Sequence, residues 1–362
     1  MERMLLFILV CMIGNITINA QDTLPYTLTS KYTLDGKKFG LYDSVRGKQI
    51  LPIMYDGLAD YYYKGVMVYW KADKMGLVDT SNHVITAALY DDITDFDNSV
   101  AFIKKGEKYA LINTRGVLLT QFLYDNVSDF SCGLAKVEIH KTVNDLSWGG
   151  QKVNDNVGYI NTKGIQVIPC KYNEGEDCQY GLVKVKTVVD KIKSYSVDYL
   201  GNKTPNYWPV STDYIYNDKG VLVYTQKENE KTITITPTGK LVVYMSYSEL
   251  VNGGFSRKFY DQYKLYDPVA KITIIPYSNN WIFEYSEKYP GNFIQFKVVT
   301  GGRMQYGCMD YNGKVILNPN FKNISNFDYN SYAKVSFFDD TFFYIDKSGK
   351  CVEFEGVVCP SE

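Results

Sequence analysis

A short sequence pattern recurs along the whole chain, and this recurrence limits the fold more than any other feature. Each copy is a run of apolar or aromatic residues that leads into a turn, usually through Asp or Asn and then Gly. The nine copies begin at Gly40, Gly76, Ala110, Gly158, Tyr195, Ile233, Lys264, Gly307 and Phe343, at intervals of roughly 31 to 48 residues. Self-similarity at such a period indicates an array of small supersecondary units.

The fourth copy shows how one unit is built. Its sequence predicts a strand over Val157–Asn161, a tight turn at Thr162–Gly164, a second strand over Ile165–Pro169 and a third over Tyr180–Val185. The Asn or Asp that ends the first strand can bond to the turn backbone, and the glycine supplies the positive φ that a tight hairpin needs. Each unit is therefore predicted to be an antiparallel meander of three strands plus a short strand-like piece.

These residues resemble the WG repeat, also called the KWG repeat. The family pattern combines an aromatic residue, Gly-Tyr-Ile-Asp, a turn glycine, Val-Ile-Pro, Tyr-Asp and a Gly-Leu-Ala-x-Val strand. It is best matched at Gly158–Lys171, Gly40–Asp56, Ala110–Val137 and Gly307–Val335. The tryptophan that names the family is replaced by Phe39, Met75, Tyr109, Val157 and Tyr306.

The resemblance implies an all-β fold of tandem ~36-residue WG-type β-meander repeats in a propeller-like arrangement. An open curved β-repeat stack is the alternative. About nine units are expected over residues 21–356, best preserved in 36–187 and 303–354, with a C-terminal tail over 357–362. The family is not tied to one activity, so the resemblance implies no reaction.

The N-terminus is predicted to be a signal peptide over residues 1–20. Met1–Arg3 carries one basic residue, Met4–Ile13 is apolar, and Ile18-Asn19-Ala20 places a small residue before the expected cleavage point. Cleavage after Ala20 predicts an exported protein that is periplasmic, outer-surface or secreted. No other stretch is apolar enough to span a bilayer.

Charge and side-chain chemistry limit the function further. The net charge is −1 without a Lys/Arg cluster, which argues against nucleic acid and anionic membrane surfaces as partners. The two histidines, His83 and His140, have no matching nucleophile motif, so no catalytic residues are expected. Carboxylate-based hydrolysis needs no histidine, so an envelope hydrolase remains the alternative. The aspartates of Asp91–Asp97 lack a calcium-loop spacing, and neither a metal nor a cofactor is expected.

Export permits disulfides, and two close pairs are the candidates, Cys170–Cys178 and Cys351–Cys359. The alternative is that Cys132, Cys170 and Cys308 are small buried hydrophobes in strands.

Two departures from the repeat are the candidate binding loops. They cover Lys141–Asp155 and Ser278–Gly291, and insertions in repeat arrays often lie on the binding face. Their aromatic side chains are the predicted binding residues: Trp148, Trp281, Phe283, Tyr285 and Tyr289. Alternatively, Ile282, Phe283 and Tyr285 form an ordinary packed strand. The predicted function is an exported non-catalytic scaffold that binds a protein or a cell-envelope component, with glycan binding as a sub-case.

Overall fold

The computed structural model describes residues 22–23, 28–33, 35–145, 150–251, 256–278, 282–284, 293–328 and 330–360. These residues form β-strands, turns and irregular segments without a helix, so the all-β prediction is confirmed. It follows that no described helix is long and apolar enough to cross a membrane. The predicted signal peptide, residues 1–20, lies outside the described residues.

The chain divides into two compact units, Met1–Val127 with Thr162–Gly164, and Ser128–Asn161 with Ile165–Glu362. The strands of the first unit are β1 (Asp22–Thr23), β2 (Leu28–Tyr32), β3 (Phe39–Asp43), β4 (Lys48–Tyr55), β5 (Gly57–Leu58), β6 (Tyr61–Tyr62), β7 (Val66–Lys71), β8 (Lys74–Asp79), β9 (Val84–Tyr90), β10 (Asp92–Ile93), β11 (Val100–Lys105) and β12 (Lys108–Asn113).

The strands from the unit boundary onward are β13 (Asn126–Ser131), β14 (Leu134–Asp145), β15 (Gly150–Asn161), β16 (Gln166–Tyr172), β17 (Glu174–Gly175), β18 (Leu182–Val197), β19 (Lys203–Asn217), β20 (Leu222–Thr225), β21 (Glu230–Ile235), β22 (Leu241–Val251), β23 (Ser256–Asp267), β24 (Ile272–Ser278), β25 (Ile282–Glu284), β26 (Phe293–Thr300), β27 (Arg303–Asp310), β28 (Val315–Phe321), β29 (Asn323–Ile324), β30 (Ala333–Ser336), β31 (Phe342–Ile345) and β32 (Cys351–Val352).

The described strands form eight sheets of three or four strands, besides the small β1–β6 pair. In the first unit the first sheet is β2–β3–β4, the second is β5–β7–β8–β9 and the third is β10–β11–β12. In the second unit the fourth sheet is β13–β16, the fifth β17–β20, the sixth β21–β24, the seventh β25–β28 and the eighth β29–β32. Each sheet follows chain order, which is the meander that the sequence predicts.

Neighbouring sheets within a unit pack their apolar faces together. In the second unit, Val157 and Ile168 of the fourth sheet share one buried cluster with Val183 and Val185 of the fifth. A comparable cluster joins Cys308 of the seventh sheet to residues of the eighth. Small separate sheets stacked face to face are the building plan expected of propeller-like repeats.

The predicted turn chemistry is confirmed. Asn113 Oδ1 accepts hydrogen bonds from the backbone N–H groups of Arg115 and Val117 at 2.9 and 3.0 Å. Asp310 Oδ1 does the same for Asn312 and Lys314 at 2.8 and 2.9 Å. These bonds fix the tight turn after β12 and the one after β27, which is the turn that the repeat motif predicts.

Seven of the nine predicted anchors lie on the strand before this turn, but Tyr195 and Ile233 do not. Tyr195 lies in β18, and the turn after it is the tip of the β18–β19 hairpin, where Asp198 Oδ1 binds the N–H groups of Leu200 and Asn202 at 2.9 and 2.8 Å. Ile233 lies in β21, the first strand of the sixth sheet. Both predictions were wrong because the same turn chemistry closes hairpins at other places in the meander.

The glycine that opens the motif is required by a close approach of backbones. At Gly40, Gly76, Gly158 and Gly307 the pairing register with the next strand shifts beside the glycine. A Cβ on Gly158 would lie 2.6 Å from Cys170 N and 2.7 Å from Ile168 O. In these four sheets the close approach therefore leaves no room for a side chain at the motif glycine.

In the sixth sheet a buried lysine occupies the glycine position. Lys264 is 5% exposed, and its Nζ donates to Glu230 Oε1 at 2.8 Å and to Tyr224 OH at 2.6 Å. Glu230 is 4% exposed and also accepts a hydrogen bond from Tyr277 OH at 2.6 Å. Burial alone would raise the pKa of Glu230, but the Lys227 N–H, Lys264 and the two tyrosines together hold it below 4.5.

Replacement of the motif glycine tests the close approach. Gly158→Ala is expected to destabilise the protein by about 1–3 kcal/mol, because the added methyl group meets backbone atoms, which cannot move aside as the end of a flexible side chain can. Urea-induced unfolding measures the loss. Gly150→Ala, in the same strand but with nothing within 4 Å of the added Cβ, is the matched control. Equal effects of the two substitutions would contradict the explanation.

The buried ion pair predicts a dependence of stability on pH. Because the pKa of Glu230 is lower in the folded protein, its stabilisation is present above about pH 4.5 and is lost as the pH falls through the folded-state value. Glu230→Gln should flatten this acid-limb dependence of the melting temperature and cost about 3–5 kcal/mol at neutral pH, since Lys264 stays buried without its partner. The exposed Glu228→Gln is the control, and an unchanged acid limb in Glu230→Gln would contradict the assignment.

Candidate functional site

The structure leaves most of the predicted binding residues untested. Trp148, Trp281, Tyr285 and Tyr289 lie outside the described residues. Phe283 lies in β25, where its backbone position pairs with Phe296 of β26. The predicted role of these five residues stays a prediction.

In three sheets of the second unit, the two middle strands form a hairpin that is much longer than the outer strands. The paired strands have 12 and 12 residues in β14–β15, 16 and 15 in β18–β19, and 11 and 12 in β22–β23. The corresponding strands of the eighth sheet, β30 and β31, have 4 residues each. The described part of the predicted insertion at Lys141–Asp155 belongs to the extended strands β14 and β15, and residues 146–149 lie outside the described residues.

The extra residues of these hairpins extend beyond the outer strands of the sheet and form two-stranded ribbons. In the fifth sheet, β17 pairs with β18 only at Val185 and Lys186, and β20 pairs with β19 only over Tyr214–Tyr216. The remaining pairs, from Thr187↔Thr212 to Val197↔Lys203, join β18 and β19 alone. Residues 187–212 are named the fifth-sheet ribbon below.

The fifth-sheet ribbon exposes apolar side chains. At its tip Tyr199 is 95% and Leu200 70% exposed, and Trp208 on β19 is 58% exposed. Lys193 lies at a register shift in β18, and its Nζ is 4.1 Å from the centre of the Trp208 ring. Exposed Tyr and Trp side chains grouped on a projecting element are typical of protein interfaces.

The tip of this ribbon is held by its own hydrogen bonds. Asn202 Nδ2 donates to Asp198 Oδ2 at 2.8 Å, and this bond, with the backbone N–H donors of the turn, lowers the pKa of Asp198. Asn206 Nδ2 donates to Ser196 Oγ at 2.9 Å and to Ser194 Oγ at 3.1 Å. The exposed Tyr199 and Leu200 are therefore presented on an ordered turn.

The sixth-sheet hairpin is reinforced by aromatic pairs across its strands. Tyr247 and Tyr260 stack with ring centres 5.1 Å apart, and Tyr244 lies 5.1 Å from Tyr263. Tyr247 and Tyr260 lie beyond the last residues that pair with β21 and β24, so their stacking stabilises a part of the hairpin that no other described strand flanks.

The fourth-sheet hairpin brings together three groups that can bind a metal. Glu138, His140 and Asp155 each offer a ligand atom, and these atoms lie within 4.8 Å of one another. Among the described residues, the aspartates of Asp91–Asp97 form no such group. Asp91 binds Lys74 and the Gly106 N–H, and Asp97 accepts from Asn98 Nδ2 at 2.8 Å, as expected for turn residues. Sequence reasoning missed the group, because only the register of β14 and β15 reveals it.

The cysteines differ in part from the predicted pairs. Cys351 and Cys359 are joined in a disulfide with their Cα atoms 5.9 Å apart, which ties the predicted C-terminal tail to β32. Cys170 and Cys178 are free thiols. They are not joined because the chain passes from the fourth sheet to the fifth between them, so that Cys178 enters the core between those sheets.

The partner that the structure gives to Cys178 is Cys132. The two thiols are in hydrogen-bonding contact, and Ser131 Oγ donates to the Cys178 backbone oxygen at 2.7 Å. Cys132 is exposed, whereas Cys178 is buried, and burial raises the pKa of its thiol. The reactive member of the pair is therefore Cys132.

Oxidation by glutathione disulfide is expected to join Cys132 to Cys178. The Cys132 thiolate would form a mixed disulfide and release one glutathione, and the Cys178 thiolate would then displace the second. Mass spectrometry of a non-reducing digest measures the product. Cys132→Ser should abolish the linkage, while Cys170→Ser should leave it unchanged. A Cys170–Cys178 peptide would contradict the observed geometry.

The fold thus defines an all-β repeat protein of stacked antiparallel meanders, three of which carry projecting hairpins. Four regions match the family model of the WG containing repeat, residues 75–109, 110–141, 158–187 and 306–337. The chain carries WG repeats in these regions, and the resemblance inferred from the sequence is confirmed there. A comparison with curated proteins finds no match.

Several solved structures show a distant similarity. Kluyveromyces lactis Hsv2p matches with 11% identity and a TM-score of 0.27, over 78% of this chain and 89% of that chain. A prolyl endopeptidase structure matches with 11% identity and a TM-score of 0.29, over 82% and 48%. The extracellular domain of the hybrid two-component system BT3049 from B. thetaiotaomicron matches with 10% identity and a TM-score of 0.19, over 90% and 51%. At these TM-scores the similarities carry no argument about this chain.

Proposed function

We propose that this chain is an exported, non-catalytic repeat protein that binds a protein of the cell envelope through the fifth-sheet ribbon. The observation that carries the proposal is the exposure of Tyr199, Leu200 and Trp208 on an ordered projecting hairpin. A monomeric domain gains no stability from these side chains in water, so a covering partner accounts for their position best.

The ribbon has the physical properties of a recognition element. Its aromatic and aliphatic side chains supply contact area, and the hydrogen-bonded tip reduces the entropy lost on binding. Among the described residues no strand pairs with the outer edges of the ribbon, and such edges present backbone groups to which a strand of the partner can pair.

The charge of the ribbon favours a protein partner. Lys191, Lys193 and Lys203 are interspersed with Asp190 and Asp198, so the ribbon has no basic stripe. With a net charge of −1 for the chain, nucleic acid and anionic membrane surfaces gain little from electrostatic attraction. Mixed charges around an apolar centre match the composition of protein interfaces.

Export is part of the proposal, with cleavage after Ala20 and a periplasmic, outer-surface or secreted product. The basic and apolar segments before Ala20 support it. The Cys351–Cys359 disulfide supports it independently, because such bonds persist in oxidising compartments.

A non-catalytic role is supported by the contacts of His83 and of the buried Lys264 and Glu230. His83 lies exposed beside Asp79, with Nδ1 3.8 Å from Oδ2, in a turn that offers no nucleophile pattern. The buried charges of Lys264 and Glu230 bind each other and two tyrosines, which suits a structural role.

Affinity capture with residues 21–362 tests the proposal. The bait is exposed to solubilised envelope of its own cells, beside a variant with Tyr199→Ser and Leu200→Ser. A control variant carries Val45→Ser and Val269→Ser, two strongly exposed apolar residues in short turns. The proposal predicts one protein that is retained by wild type and control, and at least a tenfold loss with the ribbon variant.

Two outcomes would overturn this function. Equal retention by the ribbon variant would show that another surface binds. Retention of material that survives proteinase and is lost after glycosidase treatment would replace the protein partner by a glycan.

A further inference from the structure

We propose that the base of the fourth-sheet hairpin is a binding site for a divalent transition-metal ion, zinc in particular, with Glu138, His140 and Asp155 as ligands. The proposal is independent of the protein-binding function, because it rests on a different hairpin and on different residues.

The strand register places the three side chains on one face. Glu138 and His140 are two residues apart in β14, so their side chains point to the same side of the hairpin. Asp155 of β15 pairs directly with His140, and directly paired residues also share a face. His140 Nε2 lies 3.3 Å from Asp155 Oδ1.

These distances suit a small ion. Zinc binds imidazole nitrogen and carboxylate oxygen at about 2.0–2.2 Å, so tetrahedral ligand atoms lie roughly 3.3–3.6 Å apart. His140 and Asp155 already meet that separation, and all three ligand atoms lie within 4.8 Å.

The ligand types select the class of metal. Calcium and magnesium prefer oxygen ligands alone, whereas an imidazole with two carboxylates suits zinc and its neighbours in the first transition series. Three protein ligands leave a fourth position for water or for a donor atom of another molecule.

The chain contains its own control. His83 also lies near a carboxylate, with Nδ1 3.8 Å from Asp79 Oδ2, but no third ligand group joins them among the described residues. A histidine beside one aspartate should bind zinc far more weakly than the three-ligand group, because each added ligand contributes to the affinity.

The test is a titration of tag-free, chelator-stripped residues 21–362 with Zn²⁺ by calorimetry and with Co²⁺ by visible absorption. One ion per chain is expected. His140→Ala and His140→Gln should weaken binding at least tenfold, Asp155→Asn should weaken it severalfold, and His83→Ala should leave it unchanged. Both histidine variants are expected to fold, since the His140 side chain is partly exposed.

Three results would overturn the proposal. The first is that the wild-type chain binds neither ion. The second is that His140→Ala and His140→Gln bind as tightly as wild type. The third is that the cobalt spectrum shows thiolate charge-transfer bands that disappear in Cys132→Ser, which would place the metal on the Cys132 and Cys178 thiols instead.

Discussion

The close approach of two backbones at the motif glycine is the constraint on which four of the described sheets depend. Where Gly40, Gly76, Gly158 and Gly307 stand, the next strand crosses at a shifted register and a complete outer strand forms. Where Ala110 stands, only isolated bridges such as Ile112↔Leu118 follow, and the third sheet has three strands. The sixth sheet makes the same register shift with Lys264 at this position and keeps four strands, so glycine accommodates the close approach in four sheets but is not required in every sheet.

Much of the fold can be predicted from the sequence because it is determined locally. An Asp or Asn whose side chain binds the turn, followed by glycine, marks hairpins wherever it occurs, and seven of the nine anchors were placed correctly for that reason. The same local signal cannot distinguish which hairpin of a meander it closes, so Tyr195 and Ile233 were misplaced. Contacts between distant cysteines depend on packing between sheets, so the Cys178 thiol meets the Cys132 thiol and not Cys170, which is closer in sequence.

The candidate sites were less predictable because they depend on how far two strands stay paired. Nothing in the composition of residues 187–212 shows that β18 and β19 leave their sheet and expose Tyr199 and Trp208. Likewise, Glu138 and His140 meet Asp155 through a cross-strand register. The sequence correctly located an insertion at Lys141–Asp155, but its aromatic candidate Trp148 lies outside the described residues.

The central claim is that the short meanders provide stability and the projecting ribbons provide binding. Deleting Asp190–Pro209 and joining Val189 to Val210 by an Asn-Gly turn tests it most directly, because these two residues are paired across the hairpin. The account predicts that the shortened chain keeps its melting temperature within about 4–8 °C and no longer captures the partner of the full chain. A chain that fails to fold, or that captures the same partner undiminished, would contradict it.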